Sequence, residues 1–245
     1  MLLLISSLLL MSCGADKYMK KGEKFLALGE YYDAADQFKQ AYTRTPAKER
    51  DTRGKRALKM AQCYQRINAT PKAIAAYRNA IRYNQASKED QLAYARQLLK
   101  NGDYRQAEKV FLMLKDSMPG NQLVANGLKS AQMAPEWKKL GSRYIVKRMD
   151  VFNSRRHDYS PVLFGDDYDQ LYFTSTRNEA LGDELSGITG TKAGDIFLSE
   201  KDDRGKWSKP EAIGTGLNTD YDEGACCFTP DGREMYLTQC VTDPS

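Results

Sequence analysis

Apolar positions follow two different periods along the chain. From about residue 15 to residue 140 they recur every three or four residues, as on an amphipathic helix. Beyond about residue 143 they come in short runs set off by turn residues. The helical stretch repeats itself. Gly29-Glu-Tyr-Tyr-Asp-Ala34-Ala-Asp-Gln-Phe38-Lys-Gln-Ala41 is followed by Asn68-Ala-Thr-Pro-Lys-Ala73-Ile-Ala-Ala-Tyr77-Arg-Asn-Ala80. A third copy is Gly102-Asp-Tyr-Arg-Gln-Ala107-Glu-Lys-Val-Phe111-Leu-Met-Leu114. Each copy has a small residue, an aromatic four later and an apolar residue three after that, which sets three side chains on one helical face. The step from Ala73 to Ala107 is 34 (107 − 73) and that from Ala34 to Ala73 is 39 (73 − 34), the extra five falling in the charged stretch 47–53. Gly29 and Gly102 suit tight turns between helices. Residues from about 121 to 139 read as a capping helix, in which Pro135 is expected to start a new short segment.

In the second regime Tyr144-Ile-Val, Leu171-Tyr-Phe-Thr-Ser, Asp195-Ile-Phe-Leu-Ser and Glu234-Met-Tyr-Leu-Thr read as strands. The turns between them are Gly165-Asp-Asp, Asp203-Arg-Gly205 and Pro230-Asp231-Gly232. Short strands with regular turns predict a sandwich or a propeller. Here too there is a repeat: the step from Phe164 to Phe228 equals that from Leu171 to Met235 (228 − 164 = 235 − 171 = 64). The Gly- and Thr-rich stretch 178–194 is expected as a mobile insertion. An open strand array exposes edges and faces, so residues 143–245 are expected to be poorly stable alone. Val162, Phe164, Tyr172, Phe173, Ile196 and Phe228 are expected to lack a covering partner.

The helical repeat resembles the tetratricopeptide repeat, whose period is 34. Gly22, Ala61 and Ala95 stand at the small position of its first helix, and Pro46 and Pro119 at its helix-ending position. That resemblance implies stacked helical hairpins with a groove for peptides or partner proteins. Lys17, Lys20, Lys21, Lys24, Arg56 and Lys59 are the candidate exposed charges on first helices. The β repeat resembles the blade motif of TolB-like (PD40, WD40-like) propellers through Pro161, Phe164, Asp195, Trp207, Asn218, Asp222, Glu223, Pro230, Asp231 and Gly232. The fold class expected is therefore multidomain α + β, an all-α solenoid over residues 13–142 followed by about one and a half propeller blades over 143–245. A propeller needs roughly four or more blades, so the resemblance implies that the sequence is the N-terminal part of a longer protein or the product of a truncated gene.

Charge divides the chain at the same place. Residues 1–150 hold 28 Lys and Arg against 14 Asp and Glu, a net +14; residues 151–245 hold 9 against 18, a net −9. The basic half carries no nucleic-acid-binding motif, and nucleic acid is not expected as a partner. The chain opens on an apolar run, Met1 to Ser12, that is too short to span a bilayer and has the length of a signal-peptide core. Leu10-Met11-Ser12-Cys13 resembles a relaxed lipobox. This implies a signal peptide over residues 1–12 and a lipidated Cys13; an ordinary secretory signal with an incidental cysteine is the alternative. Cys63 reads as core, and Cys240 is expected opposite about residue 223 rather than opposite Cys226 or Cys227. The acids Asp166, Asp167, Asp169, Asp220, Asp222 and Glu223 could suit Ca²⁺ but lack an EF-hand-like alternation; the resemblance to TolB-like propellers implies that they shape turns between strands, and no metal and no cofactor is expected. No Gly-x-Ser-x-Gly elbow occurs and His157 is the one histidine, so no catalytic residue is assigned.

The order of lipobox, tetratricopeptide array and TolB-like strands resembles Bacteroidota envelope proteins that end in an OmpA-like domain, in particular the PorE-type lipoproteins of the type IX secretion system. The resemblance implies a non-enzymatic scaffold anchored in the outer membrane and facing the periplasm. Its partners would be envelope or secretion proteins, with peptidoglycan bound only through a domain absent here. The alternatives are the N-terminal part of a propeller-bearing hydrolase and a general envelope-integrity lipoprotein.

Overall fold

The computed structural model describes residues 2–214 and 216–241, with side chains from Gly14 onward. The side chain of Cys13 and those of the proposed signal segment lie outside the described residues. The chain divides into a helical unit that runs to Arg143 and a β unit that begins at Tyr144.

The helical unit contains α1 (Leu2–Ala27), α2 (Tyr31–Arg44), α3 (Arg50–Arg66), α4 (Thr70–Arg82), α5 (Lys88–Lys100), α6 (Tyr104–Ser117) and α7 (Gln122–Leu140). They stack in sequence order into an all-α solenoid, each packing on the next. The repeat read from side chains is also a repeat of backbone geometry. Residues 28–30, 67–69 and 101–103 join the helices of a hairpin, and the middle residue of each is left-handed: Gly29 at φ +79°, Asn68 at +56° and Gly102 at +82°. Each turn closes with the same bond, Glu30 N–H to Phe25 O, Ala69 N–H to Tyr64 O and Asp103 N–H to Leu98 O, all 2.9 Å. This is the six-to-one bond of a Schellman turn. Asparagine tolerates the left-handed region better than other residues with a Cβ, so Asn68 can stand where the other copies use glycine.

The repeat positions form the core. Ala34, Phe38, Ala73, Ala107 and Phe111 are fully buried and Tyr77 is 2% exposed. The aromatic rings need a gap in the facing helix. A Cβ at Gly22 would lie 2.7 Å from Phe38 Cδ1; Ala61 and Ala95 are themselves fully buried. The third ring meets Gly127 on α7, where a Cβ would overlap the Phe111 ring at Cζ and Cε1. Gly127→Ala sets two effects against each other. Helix propensity favours alanine by up to about 1 kcal/mol, while overpacking a filled core costs about 1–3 kcal/mol. Phe111 has no room to retreat, so the variant is expected to unfold at lower denaturant; a midpoint equal to or above wild type would refute this packing.

Two helical expectations are corrected. Pro135 does not begin a new segment: α7 continues through it to Leu140. Proline removes one N–H donor, but past Ala131 every residue of α7 is half-buried or exposed, so no packing opposes a bend. Tyr144-Ile-Val forms no strand, and its side chains are exposed. β-propensity creates a strand only where a neighbouring strand supplies the ladder.

The β unit contains β1 (Asp158–Phe164), β2 (Gln170–Ser175), β3 (Asp195–Glu200) and β4 (Glu211–Ala212), an antiparallel sheet in the order β1-β2-β3-β4. A hairpin of β5 (Glu223–Phe228) and β6 (Met235–Gln239) follows. The first strand of each set carries the same defect. Ser160 (φ +52°) and Ala225 (φ +45°) lie where two residues oppose one, between Tyr159 and Val162 and between Gly224 and Cys227. Each is followed by a turn with a left-handed glycine, Gly165 or Gly232. The pairing differs by one residue: Phe164 faces Gln170, whereas Phe228 faces Met235, because the second turn is one residue longer.

Most of the apolar residues expected to lack cover have it. Phe164 stacks on Phe228 with centroids 4.2 Å apart, and Tyr172 packs on Phe228 at 4.9 Å. Phe173 meets Phe152 and Phe197, and Ile196 is fully buried. The hairpin thus lies against the four-stranded sheet. The stretch 178–194 carries neither helix nor strand, but Leu181 N–H donates to Asp195 Oδ2 (2.8 Å), and Lys192 Nζ donates to the carbonyls of Asn178 and Ala180.

Candidate functional site

A cleft of about 410 Å³ opens in the helical unit where α1, α3 and α5 lie side by side. Leu26 and Ala93 give it apolar surface, and Gln62, Gln65, Arg66, Asp90, Tyr31 and Tyr77 give it polar groups. These are held in place. Tyr77 Oη donates to Gln65 Oε1 at 2.6 Å, and Gln62 Nε2 donates to Asp90 Oδ1 at 3.1 Å. The other oxygen of Asp90 accepts from Ser87 N–H, while Ser87 Oγ accepts from Asp90 N–H, a capping box that fixes the start of α5. The Arg66 guanidinium sits 5.7 Å from the Tyr31 ring centroid. Burial pushes the Tyr77 phenol well above its usual range, with Asp90 and Cys63 adding to the effect. The cleft therefore presents oriented amides, one cation and one carboxylate. Cys63 of α3 is buried and its thiol is pushed up to about 11 by burial, so it is not an activated nucleophile. Sequence reading found Tyr77 only as a repeat aromatic and missed Gln62, Gln65, Arg66 and Asp90, because polar side chains at this spacing look the same as a solvated face.

The charged candidates separate. Lys17, Lys20, Lys21 and Lys24 are exposed. Arg56 is not, which corrects its placement among exposed charges. It is 6% exposed, pairs with Asp16 Oδ1 at 2.5 Å and donates to Ala41 O and Thr45 Oγ1, tying α1, α2 and α3 together. Lys59 is half-buried and pairs with Glu23 at 3.2 Å.

The blade-motif residues gather around β3 and β5 and shape the backbone. Asn218, 1% exposed, accepts from Ile196 N–H and donates to the carbonyls of Ile196 and Ile213, tying β3 to the segment after β4. Asp222 Oδ1 accepts from Gly194 N–H at 2.7 Å. Glu223, buried, accepts from the backbone N–H and hydroxyl of Thr219. Asp195 is fully buried, and desolvation raises its carboxyl pKa. Trp207 packs edge-on to Phe152 at 5.2 Å, with Lys201 Nζ 4.9 Å from its ring. Pro161 is exposed in the β1 bulge. Pro230, also exposed, opens the last turn, where Asp231 accepts from Thr229 Oγ1 and the open Cα of Gly232 faces Phe164. Among the described residues no cluster of three His, Cys, Asp or Glu could hold a metal ion. Cys63, Cys226, Cys227 and Cys240 are free, and Cys240 N–H donates to Asp222 O. No helix of the described residues is long and apolar enough to cross a membrane.

No protein-family profile matches the chain, and no curated protein matches it. Solved structures do. The first TPR domain of Spaghetti (RPAP3), bound to an HSP90 peptide, is 18% identical, with 51% of this chain and 95% of that one covered and a TM-score of 0.42. The C-terminal TPR-containing domain of a Plasmodium falciparum FK506-binding protein is 15% identical, with 54% and 94% covered and a TM-score of 0.45. The Sgt2 TPR domain from Aspergillus fumigatus is similar at 19% identity, with 56% and 88% covered and a TM-score of 0.41.

Proposed function

We propose that the protein is a lipid-anchored, non-enzymatic scaffold of the bacterial envelope. Acyl chains on Cys13 hold it to the outer membrane, facing the periplasm, and the cleft between α1, α3 and α5 takes an extended segment of a partner protein. The observation that supports the binding role is the cleft itself, whose polar groups are fixed by Gln65–Tyr77 and Gln62–Asp90 hydrogen bonds before any partner arrives. We read β1–β4 as one blade of a TolB-like propeller and β5–β6 as the start of the next. The recurrence of the same bulge and glycine turn supports this reading. The order of lipobox, helical array and blade strands supports a place in type IX secretion.

A photo-crosslinking amino acid in place of Gln62 in the living cell tests the cleft. A covalent adduct with another protein is expected, and Arg66→Glu should remove it; absence of any adduct would sink the cleft as a binding site. The anchor is tested separately by Cys13→Ala, which should abolish fatty-acid labelling and release the protein from membranes. Persistent label on the variant would place the lipid elsewhere.

A further inference from the structure

We infer that one face of α1 is a membrane-contact surface that takes the anionic headgroups of phospholipids, an inference that rests on the proposed acylation of Cys13. Lys17, Lys20, Lys21 and Lys24 all lie in α1. At about 100° per residue their four directions fall within one arc of about 100°. The buried face lies opposite. Ala15 is 1% exposed, Gly22 meets Phe38, and Met19 and Leu26 pack on the core; these positions point about 150–210° away from the middle of that arc. The four lysines therefore line the side of α1 turned away from the solenoid core, within about a dozen residues of the proposed lipid attachment in sequence.

Charge along α1 is sorted the same way. Its flanking acids are occupied, Asp16 by Arg56 and Glu23 by Lys59, both on α3. The four lysines are exposed and enter no ion pair among the described residues; Lys21 lies 5.4 Å from the Phe25 ring centroid. What remains is a run of uncompensated ammonium groups spanning about 10 Å along the helix from Lys17 to Lys24. Each lysine held at an anionic surface strengthens membrane partitioning about fivefold, and acyl chains combined with a basic patch hold a protein more firmly than either does alone. The arrangement would lay α1 along the membrane rather than leave the solenoid swinging on its lipid.

The test uses the full-length acylated protein in vesicles of phosphatidylcholine with or without phosphatidylglycerol. An amine-reactive acetylating reagent is read residue by residue by mass spectrometry. Lys17, Lys20, Lys21 and Lys24 should react about fivefold or more slowly when phosphatidylglycerol is present, with the protection lost at high salt. Lys109 and Lys129, exposed on α6 and α7, should react equally on both vesicles. Equal rates at the four lysines, or protection that does not need phosphatidylglycerol, would overturn the inference, the latter pointing to a protein occupant. Acylation is read independently from the mass of the N-terminal peptide. If Cys13 carries no lipid, the anchor fails, and co-sedimentation of the unacylated protein with phosphatidylglycerol vesicles, lost in the K17Q/K20Q/K21Q/K24Q variant, tests the lysine face alone; no such sedimentation counts against it.

Discussion

Ala73→Arg is expected to unfold the helical unit or cost it several kcal/mol. Ala73 is fully buried in α4, on the face that carries Tyr77 into the core. An arginine there either buries an unpaired guanidinium, at a cost of several kcal/mol, or forces α4 away from its neighbours. Nearest-neighbour stacking is what holds a solenoid together, so displacing the middle hairpin separates the first from the third. Ala75 lies two residues away on the same helix and is exposed. Ala75→Arg adds the same charge and should change stability by about 0.5 kcal/mol or less. Helical circular dichroism through a denaturant titration separates the two. Equal midpoints for both variants would mean that Ala73 is not an interior contact.

The corresponding weak point of the β unit is Arg177, with an expected loss of about 3–5 kcal/mol on substitution by methionine. Arg177 and Asp158 pair at 2.8 Å with side chains 8% and 9% exposed. The guanidinium also donates to Phe152 O and Ser175 Oγ and lies over Phe173 and Phe197, with centroids 5.0 and 4.6 Å away. Methionine keeps much of the apolar stacking but leaves the Asp158 carboxylate buried without its cation. Arg177→Met with Asp158→Asn should recover part of the loss. The pair also predicts a pH dependence. Burial alone would raise the Asp158 carboxyl, yet hydrogen bonds from Ser175, Ser154 and Arg177 hold it below its usual range. A carboxyl depressed in the folded state stabilises fully above its unfolded pKa of about 4, and that contribution is lost as pH falls through the folded value. Asp195 shifts the other way, so the informative quantity is the difference between wild type and Asp158→Asn, which should narrow below about pH 4. Trp207 fluorescence in a Trp137→Phe background reports on this unit. A gap that stays constant down to acid pH would contradict the assignment.

The helical half was legible because its chemistry is periodic. A small residue, an aromatic four later and a turn glycine can be counted along a line of letters, and the same positions form the core. Gly127 escaped that counting. Ala61 and Ala95 keep the same step as Ala73 and Ala107, and one further step leads to Lys129, so the gap for Phe111 lies two positions out of phase. Arg56 escaped for another reason: a basic residue on a first helix reads as solvated, and its burial depends on Asp16, 40 residues away. In the β half, strands and turns were visible, but cover for Phe164 was not, because it comes from Phe228 and the open Cα of Gly232 on another strand pair. Tyr144-Ile-Val shows the reverse error, a strong local preference with no ladder to join. The acids around β5 were visible as turn residues, while the particular bond from Gly194 N–H to Asp222, spanning 28 residues, was not.

The order in which each helix meets its partner also bears on how the protein is made. Every helix of the solenoid packs on the one just before it in the chain, so few contacts require distant segments to find each other. Chains rich in such local contacts collapse to their native pairing quickly, and each new hairpin can settle on those already in place as it leaves the ribosome. The sheet cannot follow that schedule. Its ring stack joins Phe164 on β1 to Phe228 on β5, with three strands and a long loop between them. β1 and β2 must therefore wait with aromatic faces uncovered until β5 has emerged. That interval, rather than anything in the finished structure, is when the chain is most exposed to aggregation and most in need of a chaperone.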